Sequence, residues 1–196
     1  MSLLDHLKTI QDPRKARGKR YDIPHLVLYS VYAVLSGAKG YTGIEQYIKA
    51  KYKTLNKIYD NHWISSPSGS AIQRILVEVV TEKQIEDVLR SYSKELLITK
   101  GVDMGDGSSS QRANTISVSV DGKTLRGSYD NVKSLGAVSL LSIIAMDTKL
   151  VLAQKTISGK ESEMVEVQEL LKELKDELGY SNLIITADAL HTQKKQ

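Results

Sequence analysis

The hydrophobic period of this chain changes after residue 115, and no other feature limits its possible folds as much. The stretch ISVSVD (116–121) alternates strictly, with Ile116, Val118 and Val120 on one face and Ser117, Ser119 and Asp121 on the other. That two-residue period belongs to a half-buried β-strand. Residues 1–99 instead repeat their apolar positions at helical spacing, with almost no alternation. A helical first half and a strand-bearing second half predict an α/β protein, α+β overall, with helices and a mixed sheet in separate regions.

In the first half, Pro24 suits the first turn of a helix and Gly37 its end, framing apolar positions at Leu26, Val27, Val31, Val34 and Leu35. A second helix is expected over 42–55, carrying Ile44, Tyr47, Ile48 and Tyr52. SPSGSAIQRILVEVV (66–80) reads as a loop, a cap and a helix. TEKQIEDVLRSYSKELL (81–97) reads as another helix, capped by Thr81, with Ile85, Val88, Leu89 and Leu96 along one side. Tyr21, Tyr29, Tyr32, Tyr41 and Tyr47 fall at helical spacing and are expected mostly as core anchors.

GVDMGDGSSSQRAN (101–114) is rich in Gly, Ser and Asp and reads as a linker; its acids lack calcium-loop spacing. The expected organisation is a helical domain over 1–99, a linker over 100–115 and a second domain over 116–196. There AVSLLSIIAM (137–146) and KLVLAQKTI (149–157) share the turn MDTK, which predicts a hairpin. ESEMVEVQELLKELKDELG (161–179) predicts a helix with a buried stripe of Val167, Leu170, Leu171, Leu174 and Leu178, closed by Gly179. LIITA (183–187) is a last strand. A right-handed crossover through the preceding helix returns it parallel to the first strand.

That topology brings two strand ends to one rim, and an aspartate follows each strand: Asp121 and Asp188. Two hard anionic oxygen ligands suit Mg²⁺ or Mn²⁺. Such an ion activates water or a hydroxyl for attack on a phosphodiester. An aspartate before a glycine is equally an ordinary turn former, so spacing alone leaves both readings open. VDGKTLRGS (120–128) adds Lys123 and Arg126 behind the acid, as a phosphate approach or as a solvated basic loop. His191, three residues after Asp188, suits assistance to a metal or phosphate, or plain exposure.

The chain carries 27 Lys+Arg against 23 Asp+Glu, a net charge of only +4, so the placement of charge matters more than its sum. PRKARGKR (13–20) sets Arg14, Lys15, Arg17, Lys19 and Arg20 within seven consecutive positions. Pro13 and Gly18 oppose a continuous helix, and an exposed arm is expected, used to neutralise phosphates or only to solubilise. Ser70, Gln73 and Arg74, near the start of the helix in 66–80, are candidates for base edges if that helix belongs to a helix-turn-helix. The absence of Cys excludes disulfides and thiolate zinc sites. The most apolar run, LVLYSVYAVLSGA (26–38), is about five residues short of a membrane span. The opening residues lack the apolar core of a secretory signal, so a cytoplasmic protein is expected.

VSVDGKTLRGS, ISGKESEMVEVQELLKEL and LIITADALHTQKK together resemble the H-repeat-associated insertion-sequence transposases, a DDE group with an RNase H-like core. LLDHLKTIQDPRKARGKRYDIPHLVLYSVYAVLSGA, with its DPR..RG.RY signature, and SPSGSAIQRIL (66–76) resemble the N-terminal domain of that family. The resemblance implies a helical DNA-binding domain followed by part of an RNase H-like mixed-sheet catalytic domain. It implies Asp121 and Asp188 as catalytic, metal-binding aspartates, with Mg²⁺ or Mn²⁺ as cofactor. It implies Arg14, Lys15, Arg17, Lys19, Arg20, Lys123 and Arg126 as contacts to double-stranded DNA, both element ends and target. The implied activity is DNA cleavage and strand transfer in transposition.

The third acid of the family, a glutamate further downstream, has no counterpart here. Glu161, Glu163 and Glu166 open the crossover helix ahead of the second aspartate and substitute poorly for it. A C-terminally truncated transposase is therefore expected. Two functions stay open: an incomplete transposase, and an inactive DNA-binding remnant that interferes with an intact copy or does nothing. A homo-oligomer, or association with full-length transposase, is the further partnership implied. The last strand is expected to leave an apolar sheet edge that favours self-association.

Overall fold

The computed structural model describes residues 1–99, 115–125, 138–157, 163–178 and 182–187. Among them are six α-helices and one four-stranded mixed sheet, so the chain is an α/β protein as its periodicities imply. It divides into two compact units, Met1–Val88 and Leu89–Gln196.

The first unit holds α1 (Leu3–Leu7), α2 (Ile23–Leu35), α3 (Gly40–Tyr59), α4 (Gly69–Glu78) and the start of α5 (Glu82–Thr99). A reciprocal cap starts α1: the Asp5 amide donates to Ser2 Oγ and the Ser2 amide donates to Asp5 Oδ2. Five residues are too few for a periodic signal, which is why α1 is not expected from the sequence. It nevertheless buries Leu4 and Leu7.

Asp22 caps α2 by accepting from the His25 amide, with Pro24 in the first turn, and Gly37 at φ 91° ends it. The buried side of α2 runs through Ile23, Leu26, Tyr29 and Ala33. Val34 and Leu35, in its last turn, are 57% and 80% exposed. The core of this unit joins that side to Ile44, Ile48 and Leu55 of α3, Ile72 and Ile75 of α4, and Val88 of α5. Trp63 stands edge-on to both Tyr21 and Tyr29, with ring centroids 5.1 Å apart in each pair. The tyrosines act as core anchors here.

The second unit contains β1 (Thr115–Thr124), β2 (Ser139–Ala145), β3 (Val151–Ile157), α6 (Glu163–Leu178) and β4 (Asn182–Ala187), with strand order β3-β2-β1-β4. The β2–β3 hairpin turns through residues 146–149, with Lys149 left-handed at φ 59° and its amide bonded to the Ala145 carbonyl. α6 crosses over and returns β4 parallel to β1.

One sheet face presents Ile116, Val118, Val120, Leu141, Ile143 and Ala145, covered by Val167, Leu170 and Leu174 of α6 and by Leu97 of α5. Burying side chains of this size contributes about 1.5–3 kcal/mol each. α5 thus serves the first core through Val88 and the second through Leu97, while Leu89 is exposed. A helix shared between two cores has no single apolar stripe, so the side drawn from Ile85, Val88, Leu89 and Leu96 is only partly observed. No described helix is long and apolar enough to cross a membrane.

Candidate functional site

Asp121 lies inside β1, not after it. Among the described residues, the parallel ladder with β4 runs as far as Val120↔Ala187. The antiparallel ladder with β2 continues through Asp121↔Ser142, Gly122↔Leu141, Lys123↔Leu140 and Thr124↔Ser139. β2 therefore holds the DGKT segment extended, and neither the strand end nor the turn expected at Asp121 forms. An amide–carbonyl bond of 2.8 Å from Leu125 to Val138 prolongs the pairing by a further step.

Strand alternation sets Asp121 and Lys123 on the face opposite the packed core, together with Ser117 and Ser119. Ser142 of β2 and Gln154 of β3 continue that polar face, joined by a 3.3 Å bond from Gln154 Nε2 to Ser142 Oγ. On β4, Thr186 pairs with Ser119 and donates from Oγ1 to the Val118 carbonyl at 3.1 Å. Asp121 and Lys123 are both exposed. The site thus offers a hard oxygen donor and an exposed cation just past the last described step of the β1–β4 ladder. Among the described residues, no three His, Cys, Asp or Glu side chains converge as metal ligands. Asp188, Arg126 and His191 lie outside the described residues, as do 100–114.

The basic segment is tied down. Arg14 donates from Nε and Nη2 to the two carboxylate oxygens of Asp12, at 2.8 and 2.7 Å, and from Nη2 to the Tyr21 carbonyl at 2.8 Å. The guanidinium beside Asp12 holds that carboxyl below its ordinary value, against a smaller effect of burial. Lys19 Nζ donates to the Asp12 carbonyl at 2.9 Å, and Ala16–Gly18 forms a 3-10 turn. These bonds close residues 12–21 into a loop that is exposed as expected, from Lys15 to Arg20, and tied at its base. Arg14 and Lys19 are spent on closing it, whereas Lys15, Arg17 and Arg20 are exposed.

Sequence reasoning missed the role of Asp22. Besides capping α2, its carboxylate accepts from His25 Nδ1 at 2.5 Å and from Trp63 Nε1 at 2.9 Å. Burial raises its pKa, but the His25 and Trp63 hydrogen bonds outweigh this and the net shift is downward. An acid ahead of Pro24 announces a cap; the partner 41 positions away had no signal. Ser70, Gln73 and Arg74 are exposed on α4, but residues 60–68 separate α3 from α4, longer than the 3–4-residue turn typical of a helix-turn-helix.

Residues 4–93 match the family described as DDE_Tnp_1-associated. Over 192 residues the chain is 28% identical to the H repeat-associated putative transposase YhhI of Escherichia coli strain K12, covering 98% of this chain and 46% of that protein. It is 28% identical over 195 residues to the Putative transposase YncI of Escherichia coli O157:H7, covering 98% of this chain and 45% of the relative. A third relative, the H repeat-associated putative transposase YbfD of strain K12, is 28% identical over 192 residues, 98% of this chain and 68% of its own length. The chain spans about half the length of the first of these curated relatives. No solved structure matches it.

Proposed function

We propose that the chain is a member of the H repeat-associated transposase family, to which its relatives point, and that it binds double-stranded DNA and takes part in metal-dependent cleavage and strand transfer. Asp121 and Asp188 would hold Mg²⁺ or Mn²⁺, and Lys123 and Arg126 would meet the backbone phosphate being attacked. The bound ion supplies an activated oxygen nucleophile and stabilises the leaving oxygen. The chain supplies position: β1, paired on both sides from Val118 to Val120, is a strand on which to mount the first carboxylate.

The observation that carries this reading is the register of β1 with β4. Val120 faces Ala187 across a parallel ladder, and in the sequence Asp121 and Asp188 are the residues that directly follow this pair. The strand order β3-β2-β1-β4, with β4 alone parallel to β1, supports the RNase H-like core that the family resemblance implies.

The test is a nicking and strand-transfer assay on element-end DNA with Mn²⁺, comparing the chain with Asp121→Ala. Metal-dependent cleavage lost in the variant supports the assignment. DNA binding with no cleavage by the unaltered chain would remove the catalytic part and leave the inactive, DNA-binding alternative. Cleavage that persists in Asp121→Ala would remove Asp121 from the site.

A further inference from the structure

Between the closed loop of residues 12–21 and α4 lies a cavity of about 440 Å³, with Arg17, Arg20 and Arg74 on its wall. Three arginines from two separate chain segments thus line one space. Among the described residues, neither Arg17 nor Arg74 has an acidic partner. Arg20 is held in place: its Nη2 donates to Ser65 Oγ at 2.9 Å, and its guanidinium carbon lies 5.6 Å from the centroid of the Tyr21 ring. Tyr21 itself is fixed by bonds between its hydroxyl and both Ser65 Oγ and the Ser66 carbonyl, each at 3.1 Å.

Like charges gathered around one space repel one another, and an anion seated among them relieves that repulsion. The N-terminus of α4 does not supply the attraction. Its first amide, Gly69 N, already donates to Glu45 Oε2 at 2.8 Å, and Ser68 Oγ accepts from Ala71 N. A Cβ at Gly69 would stand 2.9 Å from the same Glu45 oxygen. The side chains, not the helix end, are left to bind the ligand. Guanidinium forks bind carboxylate and phosphate oxyanions bidentately, and a phosphate offers oxygens in several directions to arginines that come from different segments.

We propose that this cavity is a phosphate site that seats one phosphodiester of a DNA backbone between Arg17, Arg20 and Arg74. The inference rests on the DNA-binding reading above and sharpens it. Arg74 becomes a backbone contact instead of a reader of base edges, and the loop closed by Arg14 becomes the frame that aims Arg17 and Arg20. A contact of this kind fixes register on the duplex without reading sequence.

The experiment measures binding of the full chain to a short duplex of arbitrary sequence, by fluorescence anisotropy across a range of salt. The variants are Arg17→Ala, Arg74→Ala, the double variant, and Lys53→Ala as a charge-matched control on the exposed surface of α3. Each single arginine variant should weaken binding roughly tenfold and make the slope of log affinity against log salt shallower by about 1. Because both side chains serve one phosphate, the double variant should lose little more slope than either single one. Lys53→Ala should change the slope less. If the unaltered chain binds duplex but the arginine variants match it, the pocket assignment is wrong and DNA binding stands. Additive slope losses would mean two separate phosphates and would also overturn it. If the unaltered chain binds no duplex at any salt, both readings fall.

Discussion

Val120 of β1 and Ala187 of β4 are register partners at the last described step of a parallel ladder, and beyond them, among the described residues, β1 is paired only with β2. Asp121 therefore begins the part of β1 that is bordered on one side, and its side chain is exposed on the polar face. Its replacement should be nearly silent for stability. Asp121→Asn is expected to shift the unfolding free energy by no more than about 0.5 kcal/mol and, under the function proposed above, to remove the metal-dependent cleavage. Urea unfolding followed beside the nicking assay checks this; a large loss of stability would mean the carboxylate has a structural task.

Asp22 should behave in the opposite way. Asp22→Ala removes the α2 cap and leaves the Trp63 indole N–H and the His25 ring N–H without their acceptor. A cap is worth ~1 kcal/mol and an orphaned buried donor ~1–3, so a loss of about 2–4 kcal/mol is expected in equilibrium unfolding.

The same residue sets a pH dependence. The folded-state pKa of Asp22 is below its ordinary 3.8, so the unfolded chain binds the proton more tightly. Its stabilisation is complete above that unfolded value and is lost as pH falls through the lower folded one. Asp12, lowered by Arg14, and Asp5, lowered to about 2 chiefly by the Ser2 amide, act with the same sign. Unfolding curves from neutral pH down to about 2 should show stability falling only at the acid end, and Asp22→Asn should flatten part of that fall. A profile for Asp22→Asn that parallels the parent would refute the linkage.

Arg14 and Arg17 sit three positions apart in one basic run, yet they should separate cleanly. The Arg14 side chain is only 12% exposed against Asp12 at 19%, and its loss opens the loop. Arg14→Ala should destabilise the chain by roughly 1.5–3 kcal/mol, whereas Arg17→Ala should be within about 0.5. Thermal melts of the two variants side by side decide it; equal melting points would contradict the tie described here.

In the second unit the apolar seam between α6 and the sheet sets the cost of truncation. Leu170 is 1% exposed, and Leu170→Ala should cost about 2–5 kcal/mol by chemical denaturation. By contrast Lys155, bonded to Glu166 but 37% exposed at its side chain, should lose no more than about 1 kcal/mol as Lys155→Ala, and less in high salt.

What the sequence could tell follows from the range of each interaction. The strict alternation of 116–121 and the heptad-like leucines of 161–179 are local signals, and β1 and α6 appear where those signals lie. The parallel return of β4 followed from the handedness of crossovers, a rule that needs no side-chain detail. The extension of β1 past Asp121 depends on β2 still being there to pair with it, which residues 121–124 do not encode. The closure of 12–21 by Arg14 is similar: a run of cations looks alike whether one member is turned inward or not. The placement of Arg74 beside Arg17 and Arg20 joins segments more than 50 positions apart, and only the fold brings them together.

The bond from Thr186 to Val118 spans 68 positions, while β2 and β3 are linked by a short turn. This separation sets an order of assembly on the ribosome. Between the end of β1 at Thr124 and the start of β4 at Asn182, about 60 residues must be made, a wait of roughly 3–12 s at ~5–20 residues per second. Throughout that interval β1 is a border strand with its amides open on one flank, and only the arrival of β4 turns it into an interior one. The strand that carries Asp121 is thus the sheet's sticky side while the chain is young, and crowded polysomes translating this message are where its strands would first find the wrong partner.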